Sequence, residues 1–396
     1  MKLYLDFNST HPPDVIALEK SRAFYINHYA NTSGLSAASQ LTHRAVENAR
    51  EKLAALLSIK PQQVIFTSCA TESNNLLIQY FYNEFQKRAE FQKNKHPSIE
   101  AIFHVISSSL EHPSISETLK ALPATDIEFI RFSKALKLRP MVLNRNEQYD
   151  VLCTVAVHSE SGLRLPLEEL FSLYRTKARY ILCDYTQALG RLTNETTHEV
   201  SWLTRQDAFL TASGHKIGGG FGCGLIILPD SMSQSTHPMH LTRGGNQEFQ
   251  IRAGSHNIEA IIAFAEALEH RIQENNEAQW KLIQNKFESM LRSKLAFLHG
   301  FEIIGSQADR APGTSLLYLP NIPIDFLIMA LDTAGITAST GTSCKSRARA
   351  PSQSLMHCGY TEAETLSVLR LSYDQTLTEA QIEYASGKIA EICRAL

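Results

Sequence analysis

Short apolar runs alternate along this chain with clusters of small and polar residues, and that alternation predicts most of its elements. Leu3 to Phe7 reads as a short strand stopped by Asn8-Ser9-Thr10 and Pro12-Pro13. Residues 31–39 are polar and small, hence a loop. Ser39 then opens a helix to about Leu57, with Ala45, Ala49, Leu53 and Leu56 as its apolar stripe and Lys60-Pro61 as its stop. Val64-Ile65-Phe66 predicts a buried strand, followed by the polar turn Thr67 to Asn75 and a helix from Leu76. A strand feeding a Ser/Thr-rich turn and a helix start is either an anion site or an N-capped helix without a ligand. Gln86 to His96 reads as a solvated helix end and loop.

The pattern then repeats. Strands are predicted at 101–107, 127–132, 151–157, 180–183, 208–211 and 225–228, with helices opening at His112-Pro113-Ser114 and spanning Leu167 to Tyr174. Polar residues cluster where these strands end: His158 to Gly162, Asp184 with Gln187 just beyond it, and Ser213-Gly214-His215-Lys216. Strand, polar end, helix, strand is the order of an α/β layer with a mostly parallel sheet, which binds ligands at its strand ends. A Gly-rich loop covers 241–255, and a long helical segment with Trp280 inside it covers about 257–297. After Gly300 the composition changes to short strands and turns, with a helix at 324–333 and a strand-like run Val368 to Ser372. The expected organisation is a large domain over 14–258 and a smaller α+β domain made of 1–13 and 259–396.

Charge and cysteine content narrow the class. In 396 residues, 38 Lys+Arg nearly balance 40 Asp+Glu, so no basic field points to direct nucleic-acid binding. An acid, Asp6, interrupts the N-terminus before any signal-like run develops, and no run reaches the ~18–20 apolar residues of a membrane span. The seven cysteines are odd in number and show no CxxC spacing, against a disulfide framework or a zinc site. A cytoplasmic protein without a metal is the expectation.

The candidate chemistry centres on Lys216. A lysine amine is a poor nucleophile while protonated; burial beside other positive charge frees it to form a Schiff base. The glycines at 218, 219, 220, 222 and 224 contain no G-x-G-x-x-G and precede a strand, which argues against a dinucleotide. Pyridoxal phosphate suits the residues better. Asp184, at a strand end, is a carboxylate for the ring nitrogen, or else an N-cap. His112 is a flat surface for the ring, or else a capping histidine. Ala70, Thr71, Ser213 and His215 offer N–H groups and hydroxyls to a phosphate, and Arg370 offers a guanidinium fork to a substrate carboxylate.

These residues carry a resemblance. Val64 to Asn75, Glu111-His112, Cys183 to Gln187, Ser213 to Gly219, Arg252-Ala253-Gly254-Ser255 and Ser339 to Cys344 are similar, in order and spacing, to the cysteine desulfurases. These are class V, fold-type I pyridoxal phosphate enzymes. The resemblance implies a seven-stranded, mostly parallel sheet between helices, and conversion of L-cysteine to L-alanine with sulfur left as an enzyme persulfide. It implies Lys216 as the Schiff-base lysine and proton shuttle, Asp184 against the ring nitrogen, and His112 stacked on the ring. Ser159 and Gln187 would lie near the phenolic oxygen, Ala70, Thr71, Ser213 and His215 around the phosphate, and Arg370 at the cysteine carboxylate. Ser255 would reach the phosphate from the partner subunit of a homodimer. Cys344 would take the sulfur, and nearby Lys345, Arg347 and Arg349 favour its thiolate. A sulfur-acceptor protein, such as an iron–sulfur scaffold or a tRNA-thiolation factor, is an implied partner. Three positions depart from the family pattern: Cys69 replaces the usual glycine, Ser159 the asparagine near the phenolic oxygen, and Leu165 a glutamine. Two other readings use the same residues: a selenocysteine lyase or other class V enzyme, and a non-catalytic partner in a sulfur-transfer complex.

Overall fold

The structure, a computed structural model, describes residues 2–95, 101–139, 141, 143, 148–232, 239–274, 276–341 and 350–396. Cys344, with Lys345, Arg347 and Arg349, lies outside the described residues. Twelve strands are present among them: β1 Leu3–Tyr4, β2 Val64–Thr67, β3 Phe103–Ser108, β4 Thr125–Ile130, β5 Tyr149–Val155, β6 Ala178–Asp184, β7 Ala208–Ser213, β8 Gly224–Ile227, β9 Glu302–Ile304, β10 Thr314–Tyr318, β11 Ile336–Thr337 and β12 Val368–Ser372.

Seven of them form one sheet in the order β2-β8-β7-β6-β5-β3-β4, in which only β8 runs antiparallel to its neighbours. This is the expected mostly parallel sheet. Its strands are apolar on both faces because both are covered. Along β7, Ala208, Leu210 and Ala212 enter one core while Phe209 enters the other; Leu225 and Ile227 of β8 divide from Ile226 in the same way. The first face is covered by helices Ala37–Leu57, Leu167–Tyr174, Thr193–Arg205 and Ile258–Glu274, the second by Ala70–Lys95 and Pro113–Ala121. A third core joins the antiparallel sheet β12-β10-β9 to helices Glu277–Lys294, Ile324–Thr333 and Glu379–Ala395. Leu3 and Leu5 are buried in this third core, beside β11, which pairs with β1. The helix Ile258–Glu274 instead buries Ile258, Ile261, Phe264 and Leu268 in the large-sheet core. We propose that the two units divide after this helix, with the N-terminal strand in the smaller one.

Several elements differ from the sequence expectation. The helix expected from Leu76 begins at Ala70, directly after the β2 turn, and runs to Lys95. Its first turns are polar because Ser73 and Asn74 find buried partners outside the helix, which propensity does not reveal. The helical stretch expected over 257–297 is two helices, and Asn276 starts the second by accepting the Gln279 N–H at 3.0 Å. The helix expected from Ser39 starts at Ala37, capped by Ser36, and its buried line is Val46, Ala49, Leu53 and Leu57. The Val15–Asn27 helix had no legible signal, since Val15, Ile16 and Ile26 point to solvent in one chain.

Candidate active site

The carboxyl ends of β2, β3, β5, β6 and β7 bring the predicted residues to one place. A cavity of about 420 Å³ is lined by Cys69, Ala70, Thr71, His112, Ser159, Asp184, Gln187, Ser213, His215, Lys216 and Arg370. Asp6, Asn8 and Ser9 from the N-terminal segment complete it with Ser339 and Gly341. Ser255 does not line the cavity of its own subunit and is exposed. Leu165 is 1% exposed, in the core, outside the cavity.

At one end, the first residues of the Ala70–Lys95 helix, Ala70 and Thr71, line the cavity together with Ser213 and His215, and a helix N-terminus favours negative charge. Close packing requires Gly224 here, because a Cβ would lie 2.5 Å from the Cys69 carbonyl carbon. The Ser213 hydroxyl is buried without a partner among the described residues. Burial and Lys216 lower the His215 pKa to about 4, so its ring is neutral.

In the middle, Asp184 is 4% exposed at the end of β6. Its two oxygens accept the Thr186 N–H at 2.9 Å and the Asn74 amide at 3.0 Å. Asn74 also donates to Ser114 Oγ at 2.9 Å and accepts from Thr211 Oγ1 at 2.7 Å. Ser114 in turn meets His112 Nδ1 through both its hydroxyl, at 2.8 Å, and its N–H, at 3.1 Å. The N–H can only donate, so the neutral His112 ring carries its proton on Nε2. Burial, then Lys216, pushes the His112 pKa down against the attraction of Asp184. His112 therefore both caps the Pro113–Ala121 helix and faces the cavity; the two alternatives were not exclusive.

Lys216 stands on the single turn Gly214–Lys216 that follows β7. Its Nζ donates to the carbonyls of Asn8 and Ser9, both at 2.7 Å. Burial, then Arg370, lowers its pKa to about 8, against the attraction of Asp184 and Asp6. The free amine needed for imine chemistry is thus accessible near neutral pH. The sign is fixed: this pKa lies below the ordinary 10.5, so the charged lysine destabilises the fold, fully below about pH 8 and progressively less above it. Acylation of Lys216, followed by peptide mass spectrometry, should rise with pH with its midpoint near 8; a midpoint above 10 would remove the activated amine.

At the far end Arg370, 4% exposed on β12, donates to Asp6 Oδ1 at 2.7 Å, Ser9 Oγ at 2.8 Å and the Ser159 carbonyl at 3.1 Å. Its Nε is buried without a partner among the described residues. Ser159 thus serves Arg370 through its backbone. Gln187 donates to the Asn8 carbonyl at 2.9 Å. The sequence reading gave no role to Asn8, Asn74, Ser114 or Thr211. Asn74 lay inside a quoted motif, but its partner Asp184 is 110 positions away, and nothing local marks the pair.

The donor set fits pyridoxal phosphate: hydroxyls, N–H groups and an orphaned Ser213 Oγ at one end, a carboxylate and a flat ring in the middle, an amine and a guanidinium beyond. Among the described residues no helix is long and apolar enough to cross a membrane, and no His/Cys/Asp/Glu cluster could hold a metal ion.

Such a cavity, on a seven-stranded sheet with a lysine on the turn after one strand and an aspartate ending the next, defines the fold-type I class. The family profile "Aminotransferase class-V" matches residues 3–384, and the chain belongs to that family. Among its relatives is "Cysteine desulfurase IscS 1" of Archaeoglobus fulgidus, 27% identical over 388 residues, 96% of this chain and 94% of that one. "Cysteine desulfurase" of Homo sapiens is 25% identical over 399 residues, 100% of this chain and 82% of that one. A solved "NifS-like protein" superposes with a TM-score of 0.83 at 25% identity, covering 100% of both chains.

Proposed function

We propose that this protein is a pyridoxal-phosphate-dependent cysteine desulfurase, acting as a homodimer in the cytoplasm and passing sulfur to an acceptor protein. The observation that carries the reading is the convergence of Lys216, Asp184 and Arg370 on one cavity. The names of the curated relatives support the same activity.

Bound there, the cofactor supplies an electron sink for bonds at the substrate's α-carbon. Asp184, held by Asn74 and Thr186, provides the negative charge for the ring nitrogen. His112 provides the flat face, and its Nε2 proton is available to the cavity. Thr71, the Ala70 N–H, Ser213 and His215 would hold the phosphate, and Gln187 and Ser159 would serve the phenolic oxygen. Lys216 would hold the cofactor through its amine, and that amine is placed to move a proton between the substrate's α-carbon and the cavity. Arg370 binds the cysteine carboxylate with its fork. Cys344 attacks the substrate sulfur as a thiolate: an S–S bond forms, the C–S bond breaks with its electron pair going to carbon, and protonation of that carbon gives alanine.

The dimer is supported by the surface. Val15, Ile16, Ile26, Tyr29 and Leu35 are exposed apolar side chains, and Phe221, 72% exposed, stacks on the His215 ring at 5.1 Å. A partner seated there would cover the phosphate end of the cavity, where Ser255 from that partner is proposed to arrive.

Cysteine turnover is tested by alanine release together with mass spectrometry of the Cys344 peptide. Cys344→Ala should retain the yellow, borohydride-reducible cofactor and lose the persulfide and at least ~10²-fold in turnover. Undiminished turnover would sink the persulfide route, and turnover of selenocysteine but not cysteine would move the protein to the lyase reading.

A further inference from the structure

One charge near the cavity has no obvious reason to be there. Arg191 is 8% exposed, on the turn that follows β6, where Gly190 takes a φ of +68°. It makes no ion pair among the described residues. Its Nη2 donates to Asn8 Oδ1 at 2.6 Å and its Nη1 to Thr314 Oγ1 at 3.2 Å, while its guanidinium lies 5.7 Å from the Trp280 ring. A buried cation with only neutral partners is costly. Burial, then Arg271 and Arg370, lowers even this arginine's pKa, to about 9.

What Arg191 holds explains its place. Every polar atom of Asn8 is engaged. Its N–H donates to Ser372 Oγ at 3.0 Å, and its amide donates to the Ser159 carbonyl and Thr314 Oγ1, both at 3.0 Å. Its Oδ1 is held by Arg191, and its carbonyl accepts from Lys216 and Gln187. Arg191 is therefore one bonded residue away from the reactive amine, and its charge acts on the same lysine. The charged and titratable groups around Lys216 come from six places: Arg370 on β12, Asp184 on β6, Arg191 beyond it, Asp6 in the N-terminal segment, His112 at the cap of the Pro113–Ala121 helix and His215 on the turn of Lys216 itself. Arg370, the stronger of the two cations acting on Lys216, is paired with Asp6 at 2.7 Å, whereas Arg191 has no counter-ion among the described residues.

We propose that Arg191 is a positioning residue for Lys216: through Asn8 it aims the carbonyl that holds the amine, and its uncompensated charge keeps that amine from being locked as an ammonium ion. The inference rests on Lys216 being the cofactor lysine. It predicts a split that a merely structural arginine would not produce.

The test is acylation of Lys216 in the full-length protein stripped of cofactor, followed against pH by peptide mass spectrometry, with near-UV circular dichroism as the fold control. The wild-type midpoint is expected near 8. Arg191→Met should raise it, so that labelling at neutral pH falls about twofold. Arg191→Lys keeps the charge and should keep the wild-type midpoint. If Arg191→Met does not fold, Arg191→Gln, which retains a donor toward Asn8, reads the same shift. A folded, uncharged variant with the wild-type midpoint overturns the proposal. Loading with pyridoxal phosphate separates the two readings: a wild-type protein that forms no borohydride-reducible adduct rejects the cofactor assignment, whatever the labelling midpoint.

Discussion

Lys216→Ala is expected to leave a folded protein that no longer carries borohydride-fixable cofactor and has lost turnover by roughly 10²–10⁴-fold or more. Among the described residues Lys216 takes part in no ion pair, and its Nζ meets only the carbonyls of Asn8 and Ser9, which also face the cavity. Burial and Arg370 disfavour its charged form, so the native state is under electrostatic stress at this position below pH 8. Truncation removes that stress. The variant should therefore unfold at a urea concentration equal to or above that of the cofactor-free wild type, while activity disappears. Phosphate, ring and carboxylate partners stay in place, so non-covalent cofactor binding should survive with reduced affinity. Normal turnover in Lys216→Ala, or a covalent adduct at another lysine, would remove Lys216 from the mechanism.

The second large effect concerns stability. Glu248, 3% exposed, accepts the Arg50 guanidinium at 2.7 and 2.9 Å, His256 Nε2 at 2.6 Å and the Phe66 N–H at 2.6 Å. Against the cost of burial, these donors lower its pKa to about 2. The pair is set in a strained turn: Glu248, Phe249 and Gln250 all have positive φ, at 48°, 56° and 65°. A left-handed non-glycine residue costs about 1–2 kcal/mol, so the turn exists because the carboxylate is tied on several sides. Glu248→Ala leaves Arg50 buried without its main counter-ion and should cost about 3–5 kcal/mol in urea unfolding. The sign with pH follows: the Glu248 contribution is complete above its ordinary 4.5 and is lost as pH falls through about 2. Gln250→Gly, which relieves one strained φ, should change stability by no more than about 1 kcal/mol and in the stabilising direction. A loss under 1 kcal/mol for Glu248→Ala would mean that the turn is held by something other than this carboxylate.

The strained turn has a functional position. It lies in the loop that continues through Arg252, ion-paired with Glu72 at 2.9 Å, to Ser255. Glu72 also accepts the Ser68 N–H at 2.6 Å at the entrance to the Ala70–Lys95 helix. The loop proposed to serve a partner's cavity is thereby tied to the phosphate end of its own.

Much of the site was legible because its residue types are demanded by chemistry and sit at ends of elements the hydrophobic pattern reveals. Asp184 ends an apolar strand, Lys216 follows another, and His112 precedes a proline-led helix; each is a local signal. The positions that support them were not legible. Asn74 hides in helical turns whose polarity resembles a loop, and the first prediction of that helix began six residues late for this reason. Arg191 follows a glycine, as surface arginines often do, and nothing beside it in the chain indicates burial. Leu165 departs from the family pattern, and only the structure shows its side chain packed in the core, outside the cavity.

The sequence by itself determined the α/β layering, the mostly parallel sheet and the candidate chemistry of Lys216, because apolar period and strand-end polarity are local properties of a chain; the family was legible through the resemblance of its motifs. Only the tertiary structure decided which carbonyl holds that amine, which amide steadies Asp184, and which cation stays unneutralised nearby. Asn8 and Lys216 are 208 positions apart and meet at 2.7 Å. Hydrogen bonds and charges act over a few ångströms of space, so their partners are chosen by how strands from both units converge, not by neighbours in sequence.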